Sequence, residues 1–184
     1  MKKVITRFAP SPTGTLHIGG VRTALFNYAY AKKYNGLFLV RIEDTDRARS
    51  TKEFEKNILD SLDSIGLSPD LEPINQSERN EIYTNAAQKI IDSDQAYYCE
   101  CSVERLDKMR SEQQSNGEKP QYDGRCRDLN LDKSDKRVLR LKTPQDGQIV
   151  VKDFVRGDVV FNNTELDDLI ILRGDGSPTY HLCN

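Results

Sequence analysis

No stretch of this chain is apolar for long enough to cross a membrane or to act as a secretion signal: Lys2 and Lys3 are followed by only two apolar residues before Thr6 and Arg7. That absence makes the cytoplasm the expected compartment and leaves no membrane partner to expect. An excess of one charge is also missing. The 27 Lys and Arg against 29 Asp and Glu give a net charge of −2, which excludes a protein that coats nucleic acid indiscriminately, because such binding scales with the phosphates neutralised. Any RNA contact has to be local. Neither an internal repeat nor a low-complexity tract is present, and 36% apolar content over 184 residues fits one or two ordinary globular domains rather than a disordered chain.

What is present begins with residues 7–22, R-F-A-P-S-P-T-G-T-L-H-I-G-G-V-R. Val4, Ile5 and Phe8 make an apolar run of strand length, and Pro10, Pro12 and Gly14 stop either strand or helix from continuing. A helix is predicted from about His17 to Lys33, with Ile18, Val21, Leu25 and Tyr28 at helical spacing and Gly36 ending it. The run Leu37–Val40 then reads as a strand buried on both faces, completing a β-α-β unit. Ser50 and Glu53 form a capping-box pattern that opens a second helix with Phe54, Ile58, Leu62 and Ile65 on one face and Gly66 at its end. A third helix is predicted after Ser77, with Ile82, Ala86 and Ile90 inward.

Beyond Ser93 the character changes. A strand is expected over Tyr97–Cys101, a short helix from about Val103, and a polar loop rich in turn residues. Strands follow over Val138–Lys142, Ile149–Val155, Val159–Phe161 and Leu169–Leu172, with turns at Asp146-Gly147 and Arg156-Gly157-Asp158, and a helix near Thr179. A parallel sheet with two clear N-terminal strands is incomplete, so the expectation is the N-terminal fragment of a longer enzyme.

The strand–loop–helix is suited to a nucleotide triphosphate. The opening N–H groups of a helix lack intrahelical partners and carry partial positive charge, so a phosphate chain can lie against them. Gly19 and Gly20 leave room for a base or ribose, and His17 can donate to a phosphoryl oxygen as charge builds there. Ligands in an open α/β sheet sit beyond the carboxyl ends of the strands. Arg7 and Glu43 fall at that edge, and one cation with one anion suits an amino acid. The charge-dense run Arg41–Arg49 also reads as a solvated loop stitched by local ion pairs. Over residues 119–142, eight basic side chains outnumber four acidic ones, which fits a local RNA contact or a solvated face equally. Cys99 and Cys101 share one face of the predicted strand and join Cys126 as ligands for a tetrahedral zinc site or as three free structural thiols. A disulfide is disfavoured in a reducing compartment, and Cys183 is expected to be a packed thiol.

The string F-A-P-S-P-T-G-x-L-H-I-G-G from Phe8 to Gly20 resembles the HIGH motif of class I aminoacyl-tRNA synthetases in its glutamyl version, with Gly20 at the fourth HIGH position. R-I-E-D-T-D-R-x-R from Arg41 to Arg49, G-E-K-P-Q-Y-D-G-R-C-R and G-D-G-S-P-T-Y-H are similar to the same family, so the resemblance covers essentially the whole chain. It implies an α/β fold, the N-terminal half of a Rossmann-type (HUP) nucleotide-binding domain over residues 1–94, with an inserted α+β acceptor-binding module over 95–174 and a return into the catalytic domain over 175–184. It implies glutamate–tRNA ligase activity with ATP and Mg²⁺, L-glutamate and the acceptor end of tRNA(Glu), in an enzyme monomeric at full length. His17 would be catalytic. Pro10, Thr13, Gly14, His17, Gly19 and Gly20 would bind ATP, and Arg7, Ser11, Glu43, Tyr180 and Asn184 would bind glutamate. Zinc would sit on Cys99, Cys101, Cys126 and Asp128, with Tyr122 as second choice for the fourth ligand. The KMSKS loop would lie past Asn184, so this stretch alone is expected to be inactive. The alternatives are a glutamyl-queuosine-tRNA(Asp) synthetase and a non-catalytic ATP- and tRNA-binding module.

Overall fold

A parallel three-stranded sheet, order β1-β2-β3, organises the first part of the chain in the computed structural model, which describes residues 3–184. Strand β1 (Ile5–Phe8) runs beside β2 (Leu37–Ile42) from Ile5 opposite Leu37 to Phe8 opposite Val40, and the short β3 (Ile74–Asn75) extends the sheet on β2. Helix α1 (Ile18–Lys33) is the crossover from β1 to β2, and α2 (Lys52–Ser64) leads on toward β3. Phe38, Val40 and Ile42 bury one face of β2 against Ala24, Ala31, Ile58 and Leu62. The other face is only half-buried and Ile5 is exposed, so the strand is not closed on both sides as its continuous apolar run predicts.

Several boundaries depart from the sequence expectation for local reasons. Helix α1 presents the small residues Ala24 and Ala31 inward, together with Tyr28, while Ile18 and Leu25 face solvent. The face that packs on the sheet is thus mainly one of small residues, and the larger Ile18 and Leu25 of the predicted stripe lie outside it. The helix closes with Asn35 at φ 51°, not at Gly36. The glycine is needed instead because a Cβ there would stand 2.3 Å from the Val4 carbonyl oxygen, which accepts from Leu37 N–H at 2.8 Å. Helix α2 is capped by Thr51 rather than Ser50: the Thr51 hydroxyl accepts from Phe54 N–H at 3.1 Å. Ile65 follows the helix and is exposed, and Gly66 takes φ 74° at the close.

The chain divides into two compact units, the described residues up to Asn80 and Glu81–Asn184. This division falls ahead of the composition change at residue 94. Helix α3 (Asn80–Asp92) packs Ala87, with Ile90 and Ile91, into the second unit's core against Ala96, Leu139 and Ile171, and it leaves Ile82 exposed while burying Tyr83. An antiparallel sheet of order β4-β5-β8 forms that unit from Ala96–Cys99, Val138–Leu141 and Ile170–Leu172. Strands β6 (Gln148–Asp153) and β7 (Gly157–Asn162) pair as a separate hairpin, with Gly157 at φ 76° opening β7 after the turn. Helix α4 (Val103–Ser115) follows β4, and the short α5 (Tyr180–Cys183) follows Thr179.

Candidate functional site

The loop between β1 and α1 is pinned from three sides. Pro10 C=O accepts from Glu43 N–H at 2.9 Å, Pro12 C=O from Thr51 N–H at 3.1 Å, and Leu16 N–H donates to Asn57 Oδ1 at 3.1 Å. The loop therefore crosses the carboxyl ends of β1 and β2 in a fixed path, with Pro12 fully buried beneath it and Ser11, Thr13 and His17 exposed above. Gly14 has open space where a side chain would be.

His17 is the residue that caps α1. Its extended backbone (φ −111°, ψ 166°) ends the loop, and its ring Nδ1 accepts from Gly19 N–H at 3.1 Å. An imidazole that accepts at Nδ1 carries its proton at Nε2, so the donor is held at the ring's far side. The space at the two glycines is used by the chain itself. A Cβ on Gly19 would meet His17 Cε1 at 2.9 Å, and one on Gly20 would meet Leu16 Cδ1 at 2.8 Å.

Glu43, one residue past β2, is buried, and its Oε1 accepts from Arg41 Nη2 at 2.6 Å. The cation beside this carboxylate is thus Arg41. Arg7 lies exposed on β1 opposite Leu39. Asp44 was not singled out by the sequence. It accepts from Ser77 N–H at 2.8 Å and Ser77 Oγ at 2.5 Å, tying the charged run to the segment after β3. Tyr180 and Asn184, exposed on and after α5, belong to the second unit.

In the second unit the Sγ atoms of Cys99, Cys101 and Cys126 lie within 4.8 Å of one another. Strand β4 ends at Cys99, so Cys101 reaches the cluster from the link to α4 rather than along one strand face. Asp128 is exposed and outside the group. Tyr122 is inside it: its hydroxyl accepts from Cys99 Sγ at 3.4 Å and from Cys126 N–H at 3.0 Å, and stands 3.5 Å from Cys101 Sγ. Burial pushes the Cys99 thiol up, but the Tyr122 hydroxyl, the Cys101 backbone and Arg140 outweigh it and hold it below its ordinary value. Cys101, which burial and the neighbouring thiols both disfavour as an anion, is pushed up to about 11. Four-coordinate zinc with Zn–S of about 2.3 Å separates its sulfurs by roughly 3.8 Å. The 3.5 Å between Cys101 and Cys126 and the oxygen beside them suit that ion. Cys183 is buried elsewhere.

Much of the basic run over 119–142 is structural. The Arg140 guanidinium lies 3.8 Å over the Tyr122 ring and donates to Asp168 C=O at 2.7 Å, and Arg127 Nη1 meets both Asp168 carboxylate oxygens at 2.8 Å. Asp168 also accepts from Tyr97 and Thr143 hydroxyls at 2.6 Å each. No periodicity marks such a polar hub, because its partners lie up to 71 residues away in the chain.

Comparison with known proteins gives a consistent result. Residues 3–184 match the family described as tRNA synthetases class I (E and Q), catalytic domain. Glutamate–tRNA ligase 1 of Alkalilimnicola ehrlichii is 54% identical over 98% of this chain and 39% of its own length. Glutamate–tRNA ligase 2 of Halorhodospira halophila is 52% identical with the same coverages. The crystal structure of glutamate-tRNA synthetase from Elizabethkingia anophelis aligns with a TM-score of 0.88 at 38% identity, covering 100% of this chain and 41% of that one. The chain spans about two fifths of the length of these relatives.

Proposed function

The chain belongs to the class I tRNA synthetase (E and Q) catalytic-domain family, and from that premise we propose that it is the N-terminal catalytic region of a glutamate–tRNA ligase acting in the cytoplasm. The observation that carries the reading is His17, at the junction of a pinned loop and α1, with Nδ1 engaged and Nε2 left to donate. ATP would lie along Pro10, Thr13, Gly14, His17, Gly19 and Gly20. Glutamate would be held by Arg7, Ser11 and Glu43; the resemblance also assigns glutamate contacts to Tyr180 and Asn184, which lie in the second unit. Its α-carboxylate attacks the α-phosphorus of ATP and pyrophosphate leaves. A terminal ribose hydroxyl of tRNA(Glu) then takes the glutamyl group from the adenylate. No side chain needs to act as a covalent nucleophile, so the work of these residues is positioning and stabilisation of spreading negative charge. Mg²⁺ supplies further charge neutralisation when bound with ATP.

The inserted module over 95–174 would hold the tRNA acceptor end, with zinc on Cys99, Cys101 and Cys126 as a structural ion. Tyr122 is the fourth ligand that the geometry favours over Asp128, because its hydroxyl stands among the three sulfurs. At full length the enzyme would be a monomer.

ATP–pyrophosphate exchange with glutamate and tRNA(Glu) tests the reading, on this chain and on an enzyme of the relatives' full length that contains it. The expected result is ATP binding without exchange for the 184 residues and exchange for the longer enzyme. A longer enzyme that exchanges label with another amino acid, or with none, would overturn it.

A further inference from the structure

Glu43 stands where the ladder between β2 and β3 runs out. Strand β3 has two residues, paired in parallel as Arg41 with Ile74 and Ile42 with Asn75. Continued by one step, that register sets Glu43 beside Gln76, and by two it sets Asp44 beside Ser77. Both strands end before these steps, and a side chain makes the second connection instead. Asp44 Oδ1 accepts from Ser77 N–H at 2.8 Å, and Oδ2 accepts from Ser77 Oγ at 2.5 Å.

The surroundings make this more than a surface contact. Asn75 is buried, and its Nδ2 lies 3.4 Å from Asp44 Oδ2 and 3.0 Å from Glu55 Oε2, so α2 joins the same group. Glu43 N–H donates to Pro10 C=O at 2.9 Å, and its carboxylate is held by Arg41 at 2.6 Å. The backbone that carries Glu43 is thus bracketed by the sheet at Ile42, the loop at Pro10 and the clamp at Asp44. The first two are backbone bonds, and only the third hangs on a side chain. A carboxylate has acceptors for both Ser77 donors at once, and a charged acceptor makes the stronger hydrogen bond.

We propose that Asp44 is a positioning residue for Glu43: by tying the chain to Ser77 it fixes where the buried Glu43 carboxylate lies, and so sets the affinity for the ammonium group of the amino-acid substrate. Asp44 is itself occupied by Ser77 and does not need to touch the substrate. The inference rests on the glutamate reading above, in which Glu43 is the anion of the amino-acid site. ATP is assigned to the loop and the start of α1, which Thr51 and Asn57 also hold. Loosening residue 43 is therefore felt by one substrate far more than by the other. The effect is large enough to measure, since a misplacement of about 1 Å costs up to roughly 10²-fold.

Initial rates of ATP–pyrophosphate exchange with tRNA(Glu) test this, in an enzyme of the relatives' full length that contains this chain, with KM measured separately for glutamate and for ATP. Asp44→Ala is expected to raise KM for glutamate about tenfold while KM for ATP and kcat stay within about twofold. Ser77→Ala removes one of the two donors and is expected to raise KM for glutamate about threefold. Asp44→Asn and Ser77→Thr keep partners for the clamp and are expected to stay close to the unaltered enzyme. Asp60→Ala, which breaks an exposed pair with Lys56 on α2, is expected to change neither KM. A merely structural role would lower stability and total activity without separating the two substrates. An Asp44→Ala enzyme whose two KM values rise together, or not at all, would overturn the positioning role and leave the ligase reading standing. If that variant does not fold, Ser77→Ala decides in its place: an unchanged KM for glutamate, or equal rises for both substrates, overturns the proposal. An unaltered enzyme that exchanges no label with glutamate would overturn the ligase reading and the proposal with it.

Discussion

His17 performs two tasks with one ring. Nδ1 satisfies an N–H that the first turn of α1 would otherwise leave without a partner, and in doing so it fixes where the remaining ring proton sits. The two tasks separate by substitution. Loss of an N-cap side chain to alanine costs roughly 0.5–2 kcal/mol, whereas asparagine is among the best caps. His17→Ala is therefore expected to lower stability in urea by about 1 kcal/mol, and His17→Asn to leave it nearly unchanged. Asparagine is shorter and does not place a donor where Nε2 lies. In the full-length enzyme both variants should lower the exchange rate about 10²- to 10³-fold, the range for one lost donor to developing charge. An asparagine variant that keeps both stability and rate would reduce His17 to a cap. The histidine itself was legible in the H-I-G-G string. Its tautomer was not, because it depends on a contact of 3.1 Å with a backbone N–H, which no letter pattern encodes.

Helices and strands followed the sequence where burial followed periodicity. Thirteen-residue α2 has Ile58 and Leu62 buried at its predicted spacing. Helix α1 did not follow: Ala24 and Ala31 are buried against the sheet, whereas Ile18 and Leu25, at the predicted apolar spacing, are exposed. The Ser50 cap also failed: Thr51 supplies the hydroxyl because Thr51 N–H is itself held by Pro12 C=O, which sets where the helix begins. At this scale the thiol cluster is a junction of β4, the link to α4 and the loop carrying Tyr122 and Cys126. Purified protein is expected to contain about one zinc per chain by elemental analysis. Removal by chelator should lower the melting temperature, because a structural ion adds its binding energy to folding. Tyr122→Phe should weaken zinc retention, whereas Asp128→Asn should not. Zinc-free protein from metal-replete buffer would return the three cysteines to packed thiols, and loss of zinc with Asp128→Asn would reverse the choice of oxygen ligand.

At the scale of the molecule, the β1-α1-β2 unit was legible because β-α-β units carry their signal in consecutive residues, whereas the two-residue β3 beside β2 has no run long enough to mark it. The strands and helices of the second unit are marked in the sequence, but their cohesion is not, since Asp168 gathers partners from β4, from the loop at Arg127 and from Thr143, just past β5. Burial pushes the Asp168 carboxyl up, but the hydrogen bonds from Thr143, Tyr97 and Arg127 outweigh it and hold the carboxyl below its ordinary value. Tyr97 is raised by burial and by Asp168, so its hydroxyl stays protonated and keeps donating. A group with a depressed folded value contributes stability that is fully present above the unfolded value, about 3.9 for aspartate. That contribution is lost as pH falls through the folded value. Asp168→Asn leaves Arg127 half-buried beside a neutral amide, and breaking a buried pair costs about 3–5 kcal/mol. The variant should therefore be less stable by about that amount at pH 7 and at pH 5, and the gap should narrow below pH 4 as the unaltered carboxylate is protonated too. Urea unfolding followed by far-UV circular dichroism measures this, the chain having no tryptophan to report by fluorescence. A gap that stays constant down to pH 3 would mean that shape at residue 168, rather than its charge, holds β4, β5 and the Arg127 loop together.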